Sequence, residues 1–191
     1  MGRKKTFAEQ DALEAATRCF WSEGFAATTF QQLEAHTGLS GRSLINCFGD
    51  KDTLFAAALG HYRQAVAEEL ASITESGAAA ILRFFRKIAD APADSLRHRG
   101  CLIINSLGEG RGEEAKAKVE IEAFRQLLRQ FFREALRQES IKGKKSKADF
   151  ILTLLWGSSS EIRQQGSTQA IVPVIKTLEE CLASWPRTAK A

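Results

Sequence analysis

The sequence predicts an all-α protein, and three observations carry that expectation. Apolar residues recur at helical spacing along most of the 191 residues, the alternation of β-branched residues that marks strands is hard to find, and only three prolines interrupt the chain. A hydrophobic content of 44% supplies a substantial core at this length, so the chain can fold without staples.

A first helix carries Ala16 and Phe20 and gives way to a turn at Gly24. The hydroxyls of Thr28 and Thr29 can accept hydrogen bonds from the free N–H groups of a second helix, in which Phe30, Leu33 and Thr37 recur at helical spacing. That helix runs from about Phe30 to His36. It must stop at Gly38, which can take the left-handed conformation of a sharp turn, and Ser40 can cap the next helix. This third helix, from Ser40 or Gly41 to Phe48, puts Leu44 and Phe48 on one stripe toward the core, with Leu39 nearby. Gly41, Arg42, Ser43, Ile45 and Asn46 remain on the outer side. Asp50 then caps a long helix reaching about Ser72, with Lys51 in its first turn.

Thr74 to Gly77 break the pattern, and a fifth helix with Ile81, Leu82, Phe84, Phe85 and Ile88 ends near Ala89. Pro92 and Gly100 mark the next segment as a loop, and a short helix over CLIINSLGE precedes the glycine-rich turn 108–112. The longest element spans about Glu113 to Gln138, with Ile121, Phe124, Leu128, Phe131 and Leu136 near 3.6-residue spacing. The run Lys142 to Lys147 reads as a solvated loop. Phe150, Ile151, Leu154, Leu155 and Trp156 then precede Gly157 to Ser160, whose small side chains permit close helix approach. A final helix spans Ile171 to Leu182, with Pro173 tolerated in its first turn because no internal N–H bond is lost there.

Two short helices joined by a tight turn, with polar residues on one side of the second, make a shape that fits a DNA groove, although the same corner can be purely architectural. The outward residues suit that use. Arg42 can donate two hydrogen bonds to a guanine edge, Asn46 can pair with adenine, Ile45 can touch a thymine methyl, and Ser43 and Gly41 allow close backbone approach. Lys51, at a helix N-terminus, suits a phosphate. Domain-wide charge adds nothing, since residues 1–63 hold seven Lys or Arg against seven Asp or Glu. Placement does, because Arg3, Lys4 and Lys5 cluster at an end expected to be flexible, where they can neutralise phosphate or enter a minor groove.

Residues 7–62 resemble the amino-terminal domain of the TetR (tetracycline repressor) family of bacterial transcription regulators. The resemblance rests on Ala16, Phe20, Gly24, Phe25, Thr28, Thr29 and Leu33, then on Gly38, Leu39, Ser40, Leu44, Phe48, Lys51 and Leu54, in one order and spacing. It implies an all-helical homodimer, with a helix-turn-helix DNA-binding domain over 1–50 and a helical ligand-binding and dimerization domain over 51–191. The long helix after Asp50 would transmit ligand state to DNA spacing. Three positions depart from the family pattern: Ile45 replaces a usual tyrosine, Cys47 a common histidine, and Glu34 a small residue.

The resulting expectation is a ligand-responsive regulator, a repressor by family default, that binds a palindromic operator as a homodimer and is released by a small molecule. DNA contacts are assigned to Lys4, Lys5, Thr29, Gln31, Gly41, Arg42, Ser43, Ile45, Asn46 and Lys51. The dimer surface is assigned to the last two helices, through Leu154, Gly157, Ser158, Ile175 and Leu178. A pocket for a hydrophobic or amphipathic effector is assigned to Phe84, Phe85, Cys101, Phe124 and Phe131, with plain core as the other reading of those aromatics. Cys101, beside Arg97, His98 and Arg99, could also serve as an electrophile or oxidant sensor.

No cofactor or metal is implied. Cys19, Cys47, Cys101 and Cys181 lack metal-ligand or disulfide-framework spacing. Catalysis is not expected, because His36, His61 and His98 stand in no catalytic motif and no nucleotide-binding or nucleophile fingerprint is present. With no apolar run of membrane-spanning length and no signal-like start, the expected setting is the cytoplasm, without a membrane partner. The competing reading is a helical interaction protein on the same scaffold without sequence-specific DNA binding.

Overall fold

A computed structural model describes residues 2–110 and 115–188, without the side chains of 2–8. The described residues form α1 (Gly2–Glu23), α2 (Phe30–Thr37), α3 (Gly41–Phe48), α4 (Lys51–Ala71), α5 (Gly77–Ala89), α6 (Leu102–Gly108), α7 (Ala115–Gln138), α8 (Lys144–Gln165) and α9 (Val172–Ser184). Short 3-10 turns occupy Leu96–Arg99 and Thr168–Ile171. Among the described residues there is no strand, only an isolated antiparallel bridge between Ile141 and Arg187. The all-α architecture is as the sequence implies.

The chain folds into two compact units, neither contiguous in sequence. The first comprises 1–66 and 101–123. Its core is built on Phe20, from which the rings of Phe55 and Phe25 lie at 5.0 and 6.2 Å, with Ala16, Leu33, Leu44, Leu54 and Leu59 buried around them. Full burial of a side chain such as Phe20 contributes roughly 1.5–3 kcal/mol. Cys19 belongs to this core, and burial pushes its thiol up from its ordinary range.

The second unit comprises 67–100 and 124–191. Phe84, Phe85, Phe131 and Phe132 pack ring against ring at 5.6 to 6.4 Å. Ile151, Leu155, Ile175 and Leu178 complete a core shared by α5, α7, α8 and α9. The 3-10 turn at Thr168–Ile171 is tied back to α5, because the Thr168 hydroxyl and the Gln169 amide both donate to the Ala89 carbonyl, at 2.9 and 2.8 Å.

Several boundaries differ from expectation. The Lys142–Lys147 run is not a loop throughout, since α8 begins at Lys144, immediately after Gly143 in the left-handed region at φ 67°. Lysine is a good helix former, and this first turn is fastened: the Ser146 hydroxyl donates to the Gly143 carbonyl at 3.0 Å, and the Lys147 ammonium sits 5.0 Å over the Trp185 ring. Arg3, Lys4 and Lys5 belong to α1 rather than to a separate flexible arm, and their side chains lie outside the described residues. The glycine-rich turn is described only to Gly110. The last helix starts one residue late, because Ile171 closes the preceding 3-10 turn.

Candidate nucleic-acid interface

The corner that presents α3 is set by glycines and caps. Gly24 ends α1 at φ 84°, a backbone conformation that side chains disfavour, and the Thr28 hydroxyl donates to its carbonyl at 2.6 Å. Thr28 is therefore a buried brace and not a cap. Thr29 alone caps α2, accepting from the Gln32 N–H at 3.2 Å while the Gln32 carboxamide oxygen accepts from the Thr29 N–H at 2.7 Å, a reciprocal capping box. Gly38, at φ 69°, stops α2, and its N–H donates to the Glu34 carbonyl at 2.9 Å. Ser40 then caps α3 by accepting from the Ser43 N–H at 3.2 Å.

Each short helix is pinned by one large buried residue, Leu33 in α2 and Leu44 in α3. With Leu44 turned inward, Arg42, Ile45, Asn46 and Cys47 are exposed, and Ile45 keeps 50% of its surface in water. Gln31 and Thr29 are exposed as well, while Gly41 and Ser43 are half-buried. Lys51, in the first turn of α4, holds its ammonium 4.4 Å from the centroid of the Phe25 ring. Asp50 caps that helix: first the Thr53 hydroxyl and then the Thr53 N–H, the latter at 2.7 Å, hold its carboxyl below the ordinary carboxylate range.

Two glutamates hold this corner without any signal in their local sequence. Glu109, at the end of α6, accepts from the backbone N–H groups of Phe25 and Ala26 at 2.8 and 3.2 Å, and a Cβ placed on Gly24 would lie 2.5 Å from its Oε1. Glu34 accepts from the N–H of Gly41, the first residue of α3. Position 34 thus carries a side chain that reaches across the turn. The α7 side chains add polar ties to the same unit: Lys116 contacts Asp50 at 3.6 Å, and Glu120 accepts from Arg63 at 2.8 Å.

In the second unit, α8 and α9 form an apolar groove lined by Phe150, Leu154, Pro173, Val174, Thr177, Leu178 and Cys181. Leu154 is half-buried and Gly157 exposed, whereas Ser158, Ile175 and Leu178 are buried within the subunit. Among the residues considered for an effector, Phe84 and Phe85 lie in the four-phenylalanine cluster with Phe131, and Phe124 packs 6.3 Å from the Trp156 ring. Cys101, half-buried, is the N-cap residue of α6.

The folded corner, capped at both short helices and presenting the exposed edge of the second, defines a helix-turn-helix protein. Residues 12–58 match the family model described as bacterial regulatory proteins, tetR family. The chain is 28% identical to the HTH-type transcriptional repressor ComR of Escherichia coli, over 99% of this chain and 94% of that protein. It is 35% identical to the repressor AcnR of Corynebacterium glutamicum over 43% of this chain and 42% of the relative. A TetR-family regulator from Cytophaga hutchinsonii superposes with a TM-score of 0.82 at 16% identity, over the whole of both chains. CifR, a TetR-family regulator solved as a cysteine-substituted protein with 26-bp operator DNA, superposes with a TM-score of 0.76 at 22% identity, over 93% and 96% of the two chains. No helix among the described residues is long and apolar enough to cross a membrane.

Proposed function

We propose that this protein binds a palindromic operator as a homodimer, each subunit inserting α3 into a major groove, and that a small molecule releases it. The observation that carries this reading is the exposed edge of Arg42, Ile45 and Asn46 on a helix whose opposite side is anchored by fully buried Leu44. Arg and Asn offer bidentate contacts to guanine and adenine edges, and Ile45 suits a thymine methyl. Gly41 and Ser43 permit close approach. Thr29 and Gln31 at the start of α2, Lys51 in α4, and Lys4 and Lys5 in α1 are assigned to phosphates.

Functionally, residues 1–50 read DNA and 51–191 regulate and dimerize. The apolar groove between α8 and α9 supports pairing with a second copy through Leu154 and Leu178, beside exposed Gly157, while Ser158 and Ile175, also assigned to that surface, pack inside the subunit; such pairing sets two α3 helices about one helical turn or a multiple apart. An apolar effector meeting Phe84, Phe85, Phe124 and Phe131 in the second unit would act by unequal affinity for the DNA-competent and released conformations. Such a regulator works in the cytoplasm, as a repressor.

Selection of DNA from a random library by the purified protein tests the reading, with an enriched palindrome as the expected result. On that operator, Arg42→Ala or Asn46→Ala lowers affinity by roughly 1–3 kcal/mol and relaxes base choice, while Lys51→Ala weakens specific and random DNA alike. Absence of any enriched motif would favour a helical interaction protein instead, a reading to which exposed Ile45 lends weight.

A further inference from the structure

We propose that Glu34 is a specificity-determining residue, an anionic stopper at the amino end of α3 that weakens binding to any duplex lacking matched base contacts. The inference rests on the reading of α3 as the DNA-contacting helix. A helix N-terminus ordinarily attracts phosphate, because its first N–H groups lack partners and its dipole is positive there. In this chain that end is already occupied. The Gly41 N–H donates to the Glu34 carboxylate and the Ser43 N–H to the Ser40 hydroxyl. Glu34 is itself exposed, so its charge is presented to whatever approaches the leading edge of α3.

Gly41 is fitted to this arrangement. Gly24, Gly38 and Gly49 around the same corner all have positive φ, whereas Gly41 does not, so its backbone makes no demand for glycine. The demand is spatial: a Cβ at position 41 would stand 2.9 Å from Glu34 Oε1. Position 34 thus fills the space a side chain at 41 would otherwise take, and it fills it with charge. Phosphate contacts supply most of the affinity for random DNA, whereas base-edge contacts supply discrimination, so one carboxylate held at the groove lip penalises the first more than the second.

The test measures operator and random-duplex affinity of the full chain across a salt series, for wild type, Glu34→Gln and Glu34→Ala. Removing one repulsion of about 4 Å range in water is worth roughly fivefold. Glu34→Gln retains an acceptor for the Gly41 N–H and loses only charge. It is expected to bind random duplex about fivefold more tightly, to show a log-affinity against log-salt slope steeper by about one unit, and to lose operator-to-random discrimination. Glu34→Ala also loses the cap, so its operator affinity should fall below that of Glu34→Gln. Random-duplex affinity and salt slope unchanged in Glu34→Gln would overturn the proposal and leave Glu34 a cap only. A wild-type protein that binds no duplex would instead remove the underlying DNA-reading assignment.

Discussion

Helices α2 and α3 have eight residues each and bury one large apolar side chain apiece, whereas α7 and α8 run to 24 and 22 residues and bury whole stripes. An isolated eight-residue helix is unstable in water, since the costly nucleus is offset by few propagating bonds. The short pair therefore depends on its ends: Thr29 with Gln32, Ser40 with Ser43, Glu34 on Gly41, and Glu109 on the turn before α2. The long pair depends on area, through the phenylalanine cluster and the aliphatic residues of α8 and α9. Directional polar contacts fix the position of a small element, and apolar burial fixes the existence of a large one.

Truncation of the second unit's core should give the largest effect. Phe132 is fully buried among Phe84, Phe85 and Phe131, so Phe132→Ala is expected to destabilise by about 3–5 kcal/mol in chemical denaturation. Per folded molecule, its DNA affinity should stay at the wild-type value. A cost under about 1 kcal/mol would break the view that area governs this half.

The turn before α2 should respond differently. Glu109→Ala removes the acceptor of two backbone N–H groups, and partial solvation limits the loss to about 1–2 kcal/mol in unfolding. The same change should lower operator affinity, because the turn sets the entry angle of α2 and hence of α3. Intact DNA binding in Glu109→Ala, measured by titration of a selected operator, would mean that the caps alone suffice.

The smallest expected effect concerns pH. Against the burial that pushes it up, the Ala78 N–H and the Arg187 guanidinium hold the Glu139 carboxyl below the ordinary glutamate range. A carboxyl depressed on folding contributes stability that is fully present above its unfolded-state pKa and is lost as pH falls through its folded-state value. Thermal unfolding of wild type and Glu139→Gln should therefore differ near neutrality and converge in acid. A difference that persists under acidic conditions would assign the effect to packing.

The contrast between the halves also governs what a sequence can reveal. Caps and glycine stops act within a few residues, so Phe30, Gly38, Gly41 and Phe48 mark their boundaries to within one position of those observed. Thr29 is legible as a cap, although Thr28, with the same hydroxyl, braces the turn instead. The start of α8 is not legible, because a lysine-rich run looks solvated whether helical or not, and the deciding contacts, Lys147 on Trp185 among them, come from distant residues. Glu109 has no local signature at all, since its partners lie across the sequence in another element. The outward edge of α3 is legible because Leu44 fixes the phase of so short a helix.

Gly24, Gly41 and Gly77 each leave a hollow into which a glutamate oxygen projects, from Glu109, Glu34 and Glu139 respectively. At 24 and 77 the backbone itself is left-handed, so deleting the acid does not make a bulkier residue welcome there. At 41 the backbone is not left-handed, so within the subunit only steric room stands against a side chain. Among these three socket-and-plug pairs, only Gly41 with Glu34, which joins the two short helices, meets at a glycine of ordinary φ, so that pair alone can be exchanged without remaking a left-handed turn.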